Sequence, residues 1–137
     1  MNEPIPGATA VAELTVLSGD LASALSQREG DAFPSVFATA SMIALMEIAG
    51  ARVLGPCLAQ GQISVGVTVD VTHSAPTPPG AVVTATARYL GRADKLYEFE
   101  VIATDAGGEI GRARHKRAIV DIDRIQEKAR RRVQAGG

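Results

Sequence analysis

The chain has 137 residues, 46% of them hydrophobic and 21% charged, with a net charge of -1. That is one domain long enough to bury a core, with no bulk electrostatic support for nucleic-acid binding. The lone Cys57 excludes an internal disulfide and a Cys-rich metal site, and fits a reducing, cytoplasmic compartment.

The start, MNEPIPGATAVAEL, places acid before apolar residues and lacks the basic region of a secretory signal. No apolar run reads as long and uninterrupted enough for a bilayer, which takes ~20 residues. A soluble protein with no membrane partner is expected. Without Trp, and with 4% aromatics, the core must come from Val, Ala, Leu and Ile.

Residues 1–7 read as a loose lead-in. Ala8 to Leu17 alternates as a first strand, with Val11, Glu13, Thr15 and Leu17 on one face. Ser18 to Asp31 reads as a short helix or flap ending in a polar loop. The spacing of Met42, Ile43, Leu45, Met46, Ile48, Ala49, Val53 and Leu54 predicts a helix over about Ser41 to Leu54, apolar nearly all round and therefore buried. Gly55-Pro56 ends it.

Gln62 to Thr72 alternates strictly, with Val65, Val67, Val69 and Val71 on one side and Gly66, Thr68, Asp70 and Thr72 on the other. The segment Ala75 to Gly80 is a stiff loop, because proline cannot donate to a ladder. Three strands follow, Ala81 to Leu90, Leu96 to Thr104 and Glu109 to Asp121, joined by short hairpin turns. Arg124 to Val133 reads as a basic surface helix fraying at Gly136-Gly137. The order is strand, flap, long helix, then a four-strand meander: an α+β domain, one helix wrapped by a five-stranded antiparallel sheet. One helix cannot cover both faces of such a sheet, so a dimer is expected.

Three groups stand out chemically. Glu47 sits in the most apolar helix, where a carboxylate needs a cationic partner such as Arg52 or a catalytic use. His73 ends the clearest strand, where the backbone fixes its ring. Thr39 lies at the turn into the helix, where a capping hydroxyl is ordinary. In one straight helix, Thr39 and Glu47 would sit ~12 Å apart along the axis. A shared site then needs a turn in the chain, or a water or substrate between them. Gly66 interrupts a β-branched strand, where glycine marks close approach. In EIGRARHKRAIVD, Arg112, Arg114 and Lys116 share one face and His115 and Arg117 the other. The first set is a solvated face or a phosphate-binding cluster. Cys57, His73 and His115 show no metal-ligand spacing, so no metal is expected.

FPSVFATASMIALME, followed by GVTVDVTHSAPTPPG and closed by RHKRAIVD, resembles the hotdog-fold thioesterases of the fluoroacetyl-CoA thioesterase type over roughly residues 33–121. The resemblance implies a single hotdog domain over 1–137, with a core of about 8–122 and a basic C-terminal helix of about 123–134. It implies a homodimeric hydrolase that releases a small or short-chain acid from acyl-CoA, with coenzyme A as part of the substrate and no cofactor. It makes Thr39, Glu47 and His73 catalytic, and Phe33, Gly66 and Arg117 contacts to the acyl-CoA. Gly30 and Ile48 stand where the family's fluoroacetyl-specific member carries aromatic residues. Two rival readings are a non-catalytic acyl-CoA-binding hotdog module and an enoyl-thioester hydratase, the latter echoed weakly by Asp70-Val71-Thr72-His73.

Overall fold

The computed structural model describes residues 3–136; Met1 and Asn2 of the expected lead-in, and Gly137 of the expected fraying end, lie outside them. Strand β1 (Thr9–Thr15) leads through two short turns to helix α1 (Thr39–Leu54). Strands β2 (Gln62–His73), β3 (Val82–Ala93), β4 (Leu96–Asp105) and β5 (Gly108–Asp121) follow, and helix α2 (Ile122–Gly136) ends the chain. The five strands form one antiparallel sheet in the order β1-β3-β4-β5-β2.

That order corrects the expected four-strand meander. Only β3, β4 and β5 run as consecutive neighbours, and β2 lies at the far edge beside β5. The proline loop carries the chain across the sheet end. Ser74 N–H donates to Ile110 O at 2.7 Å, and Thr77 Oγ1–H donates to Asp105 Oδ2 at 2.7 Å. The three prolines of this loop forgo ladder bonds that a crossing segment does not need.

Helix α1 packs on the inner face of the sheet through Met42, Leu45, Met46, Ala49, Val53 and Leu54. The inner face is graded across its rungs. The rung of His73 runs through Gly111, Ala103 and Ala85 to Ala12, all small, whereas the rung of Val69 runs through His115 and Phe99 to Tyr89. Small residues let the helix approach the sheet closely where no aromatic fills the gap. At Gly111 a Cβ would press on Met42 Sδ.

Two expectations for α1 are overturned. The helix is not buried all round, since Ile48 is 45% exposed. Together with the following turn, Thr39–Cys57 is also long and apolar enough by composition to cross a membrane. In this fold its apolar side lies on the sheet.

The outer face of the sheet is polar, with Arg88 and Arg112 on Glu100, Arg112 on Glu109 and Arg114 on Glu98. Arg112 and Arg114 are therefore paired on this face.

The strict alternation expected of β2 also fails, for a local reason. Gly66 pairs with Arg117 and Thr68 with Lys116, which leaves Val67 as a bulge, 50% exposed. One extra residue reverses the parity of everything after it. Ser64 and Gly66 before the bulge, and Val69, Val71 and His73 after it, oppose residues of the same β5 face, while Val65 and Val67 fall out of that set. Without the bulge, Gly66 and His73 would point to opposite faces.

The segment read as a short helix or flap consists of 3-10 turns at Ser18–Asp20 and Ala22–Leu25, then an exposed loop. A bridge between Leu21 and Phe37, with Ala22 N–H donating to Val36 O at 2.8 Å, ties this flap down beside the start of α1.

Candidate active site

Thr39 is the first residue of α1, with Ala38 at the cap position and, among the described residues, no side chain capping the first turn. The Thr39 hydroxyl is used elsewhere, in a 2.8 Å hydrogen bond with His73 Nδ1. His73 reaches it because β2 ends there and the chain leaves through the proline loop, which is pinned on Ile110. Among the described residues, His73 Nε2 is a buried nitrogen with no partner. An orphaned polar atom of this kind is costly unless a ligand or a reaction uses it. The pair opens onto a cavity of about 360 Å³ lined by Pro34, Val36, Phe37 and Pro76.

Glu47 lies two helical turns further on, its side chain 41% exposed. Its partner is Arg117, not the Arg52 considered from sequence: Arg117 NH1–H donates to Glu47 Oε1 at 3.2 Å, while Arg52 donates to Val11 O. Arg117 is nearly fully buried and richly bonded. Its Nε–H donates to Ser64 Oγ at 2.8 Å, NH2–H to Ser64 O at 2.9 Å, and NH1–H also to His115 Nε2 at 3.1 Å. Burial pulls the Arg117 guanidinium below its ordinary range and Glu47 pulls it back up. The charge stays, as it does for arginine in proteins generally.

His115 is fully buried, with its ring 6.2 Å from that of Phe99. Its Nδ1 lies 2.8 Å from Thr68 O and its Nε2 faces Arg117. A carbonyl only accepts and a guanidinium only donates, so Nδ1 carries the proton and Nε2 is bare. Burial, reinforced by the Arg117 charge, holds the imidazole below the ordinary histidine range, against the opposing pull of the Thr68 carbonyl and Glu47. Gly66 completes the cluster: a Cβ there would run into Glu47 Oε1.

The structure thus brings Thr39 to His73, and Glu47 to Arg117 and Gly66, in two separate groups. Helix α1 is unbroken from Thr39 to Leu54, so no turn folds Glu47 back onto Thr39. The two groups remain ~12 Å apart along the axis. Phe33 is 49% exposed on the flap, and Phe37, Met42 and Met46 are core residues. Ser64 and the bulge at Val67 were not foreseen; Gly66 in a β-branched strand was the signal for the bulge, and nothing in sequence marked Ser64 as an arginine partner.

The model of the family described as FlK, fluoroacetyl-CoA-specific thioesterase, matches residues 20–123. The chain belongs to the FlK thioesterase family. The fluoroacetyl-CoA thioesterase of Streptantibioticus cattleyicolor is 40% identical over 104 residues, covering 76% of this chain and 75% of that one. The crystal structure of a Phe-to-Ala variant of the FlK thioesterase superposes with a TM-score of 0.87 at 32% identity, covering 96% and 99% of the two chains. A thioesterase-superfamily protein of Thermus thermophilus gives the same TM-score at 26% identity, covering 98% and 97%. As an FlK-family member this chain has the hotdog fold and is an acyl-CoA thioester hydrolase, as the sequence motifs implied.

Proposed function

We propose that the chain hydrolyses the CoA thioester of a small acyl group at a site assembled from two copies of itself. The observation that carries this is the division of reactive groups: an unpartnered His73 Nε2 beside a cavity, and a half-exposed Glu47 two turns away. His73 ends β2, and Glu47 reaches over Gly66 of the same strand, an open edge of 12 residues. The other edge, β1, is shorter at 7 residues, and its Val11 carbonyl already accepts from Arg52. Long unprotected edges invite a second strand. Antiparallel pairing of β2 with its copy about a two-fold axis, in the register that sets Gly66 against His73, keeps both residues on the inner face and brings Glu47 of one copy to the Thr39–His73 pair of the other.

In that arrangement the acyl group occupies the cavity beside Phe37, and the thioester carbonyl meets the first turn of α1, whose N–H groups no side chain caps. Those dipoles stabilise the oxyanion. Arg117 holds Glu47 Oε1, which leaves Oε2 to attack the carbonyl carbon, giving an acyl anhydride that water then opens, or to take the proton of an attacking water. The C–S bond breaks and His73 Nε2–H protonates the departing CoA thiolate; Nε2 regains a proton from the water that opens the anhydride, or from Glu47 once it has deprotonated the attacking water, while the Thr39 hydroxyl fixes the ring. The flap lines the acyl end through Ala22, Pro34 and Val36, and to the exposed Phe33 beside them we assign its cover. The free buried thiol of Cys57 suits the reducing cytoplasm, to which we assign the chain.

The test is release of free thiol from acetyl-, fluoroacetyl-, phenylacetyl- and hexanoyl-CoA, with His73→Ala alongside. Turnover of a small acyl-CoA that is lost in the variant is the expected result. Tight binding without hydrolysis across the panel would return the chain to the binding-module reading.

A further inference from the structure

Beside Thr39, Glu47, His73 and Arg117 lies a buried titratable group with no part in that chemistry, His115. His115 has no exposed surface, and an imidazole is costly to bury unless both nitrogens are satisfied. They are, and each partner belongs to the Glu47 side of the site. We propose that His115 is a positioning residue, a neutral imidazole that anchors on the carbonyl of the β2 bulge and hands Arg117 to Glu47 in a fixed orientation.

The geometry is that of a chain of single-purpose bonds. The parity change at Val67 turns Thr68 O toward β5, where it accepts from His115 Nδ1–H at 2.8 Å. The bare Nε2 then takes one N–H of Arg117 NH1 at 3.1 Å, and the same nitrogen donates to Glu47 Oε1 at 3.2 Å. Ser64 holds the opposite side of the guanidinium through its hydroxyl and its carbonyl. Four of the guanidinium's N–H donors, of the five such a group carries, are thereby assigned, and the plane cannot rotate without breaking several bonds. The ring itself is held by Phe99 on one side and by Gly50, where a Cβ would come within 3.1 Å of His115 Cδ2. A phenylalanine would fill this space as well, but would leave Thr68 O without its donor and Arg117 without an acceptor.

The arrangement works in one protonation state only. The groups facing His115 are Arg117 on β5, Glu47 from α1 and the Thr68 carbonyl of β2, with the uncharged Phe99 from β4. Protonation would put an Nε2–H against an Arg117 N–H and a cation against a cation, which would turn the guanidinium off Glu47. Burial and Arg117 push the imidazole below the ordinary histidine range, so the neutral form persists under mildly acid conditions.

This inference rests on the thioesterase reading for its kinetic part and on the structure alone for the tautomer. The experiment takes the full chain, labelled with 15N-histidine, together with His115→Phe, His115→Gln and Gly50→Ala. The side-chain 15N shifts of His115 near neutral pH should report a protonated Nδ1 and a bare Nε2. In thiol-release assays His115→Phe should lower kcat roughly 10- to 100-fold through a misplaced Glu47, with KM changed less than about threefold. His115→Gln, whose amide oxygen reaches the place of Nε2, should recover most of the loss, and a merely space-filling role predicts the reverse order. Gly50→Ala should shift the His115 15N signals and lower kcat in the same direction without altering any charged group. If His115→Phe does not fold, the Gln and Gly50→Ala variants decide the matter. A protonated Nε2, or wild-type kcat in His115→Phe, overturns the proposal. Absence of hydrolysis by the wild-type chain overturns the functional reading instead, and a bare Nε2 would then still support the anchor.

Discussion

The two ends of β2 hold opposite kinds of chemistry. Past the bulge, His73 has one hydrogen bond, to Thr39, and a buried nitrogen left over, and it faces a cavity. Before the bulge, Arg117 is held by Ser64, His115 and Glu47, and the Glu47 carboxylate reaches toward solvent. The first group is poised to exchange protons and the second to stay still. A reaction that needs both a mobile proton and a fixed carboxylate is served by keeping them in separate environments, since one shared hydrogen-bond network would neutralise each with the other.

Removing either half should have the largest effect. Glu47→Ala and His73→Ala should each lower kcat by roughly 10³-fold or more while circular dichroism and oligomeric state stay unchanged. Next comes Gly66→Ala, where the new Cβ takes the place of Glu47 Oε1. The carboxylate is the flexible end of a side chain and swings aside, so the variant should fold, with kcat down by about 10²-fold. Arg117→Met strips donors from Ser64 and His115 and should cost about 2 kcal/mol of stability in urea unfolding, along with activity. Thr39→Val removes only the ring's support and should lower kcat by about tenfold with little change in melting temperature.

The smallest effect is a pH slope. Unfolded His115 titrates near 6.5 and the folded group lies lower. As the pH falls through that range the unfolded chain takes up a proton the folded chain refuses, so stability should decline toward acid and be unaffected above it. Melting curves from about pH 7.5 to about pH 5 should show this decline in the wild type and a shallower one in His115→Gln.

Much of this contrast was legible in the sequence. The apolar run from Met42 to Leu54 dictated a helix, the valines of β2 a strand, and three motifs in register a thioesterase. Sequence periodicity also placed His115 and Arg117 on one face of β5. Alternation alone could not reveal the bulge, because Val65, Val67, Val69 and Val71 satisfy the strand pattern whether or not Val67 is skipped in pairing; Gly66 was the one hint. Nor could it place β2 at the sheet edge, since a proline loop that crosses the sheet end and one that turns back into a meander have the same composition. Glu47 showed that it needed a cation, but the choice of Arg117 over Arg52 depended on β5 passing beneath α1, a contact between residues 70 positions apart. The 12 Å between Thr39 and Glu47 was legible from helix geometry alone.

The central claim is that these two groups meet only between copies. It is tested most directly by co-expressing Glu47→Ala and His73→Ala chains under different affinity tags, purifying the mixed population and measuring thiol release on the preferred acyl-CoA. If each site takes Glu47 from one copy and His73 from the other, a mixed dimer carries one site with both defects and one intact site. Random pairing should then restore roughly a quarter of wild-type turnover from two inactive parents. Turnover no greater than that of the parents, in a preparation shown to contain mixed dimers, would mean that both groups act within one chain and would contradict the account.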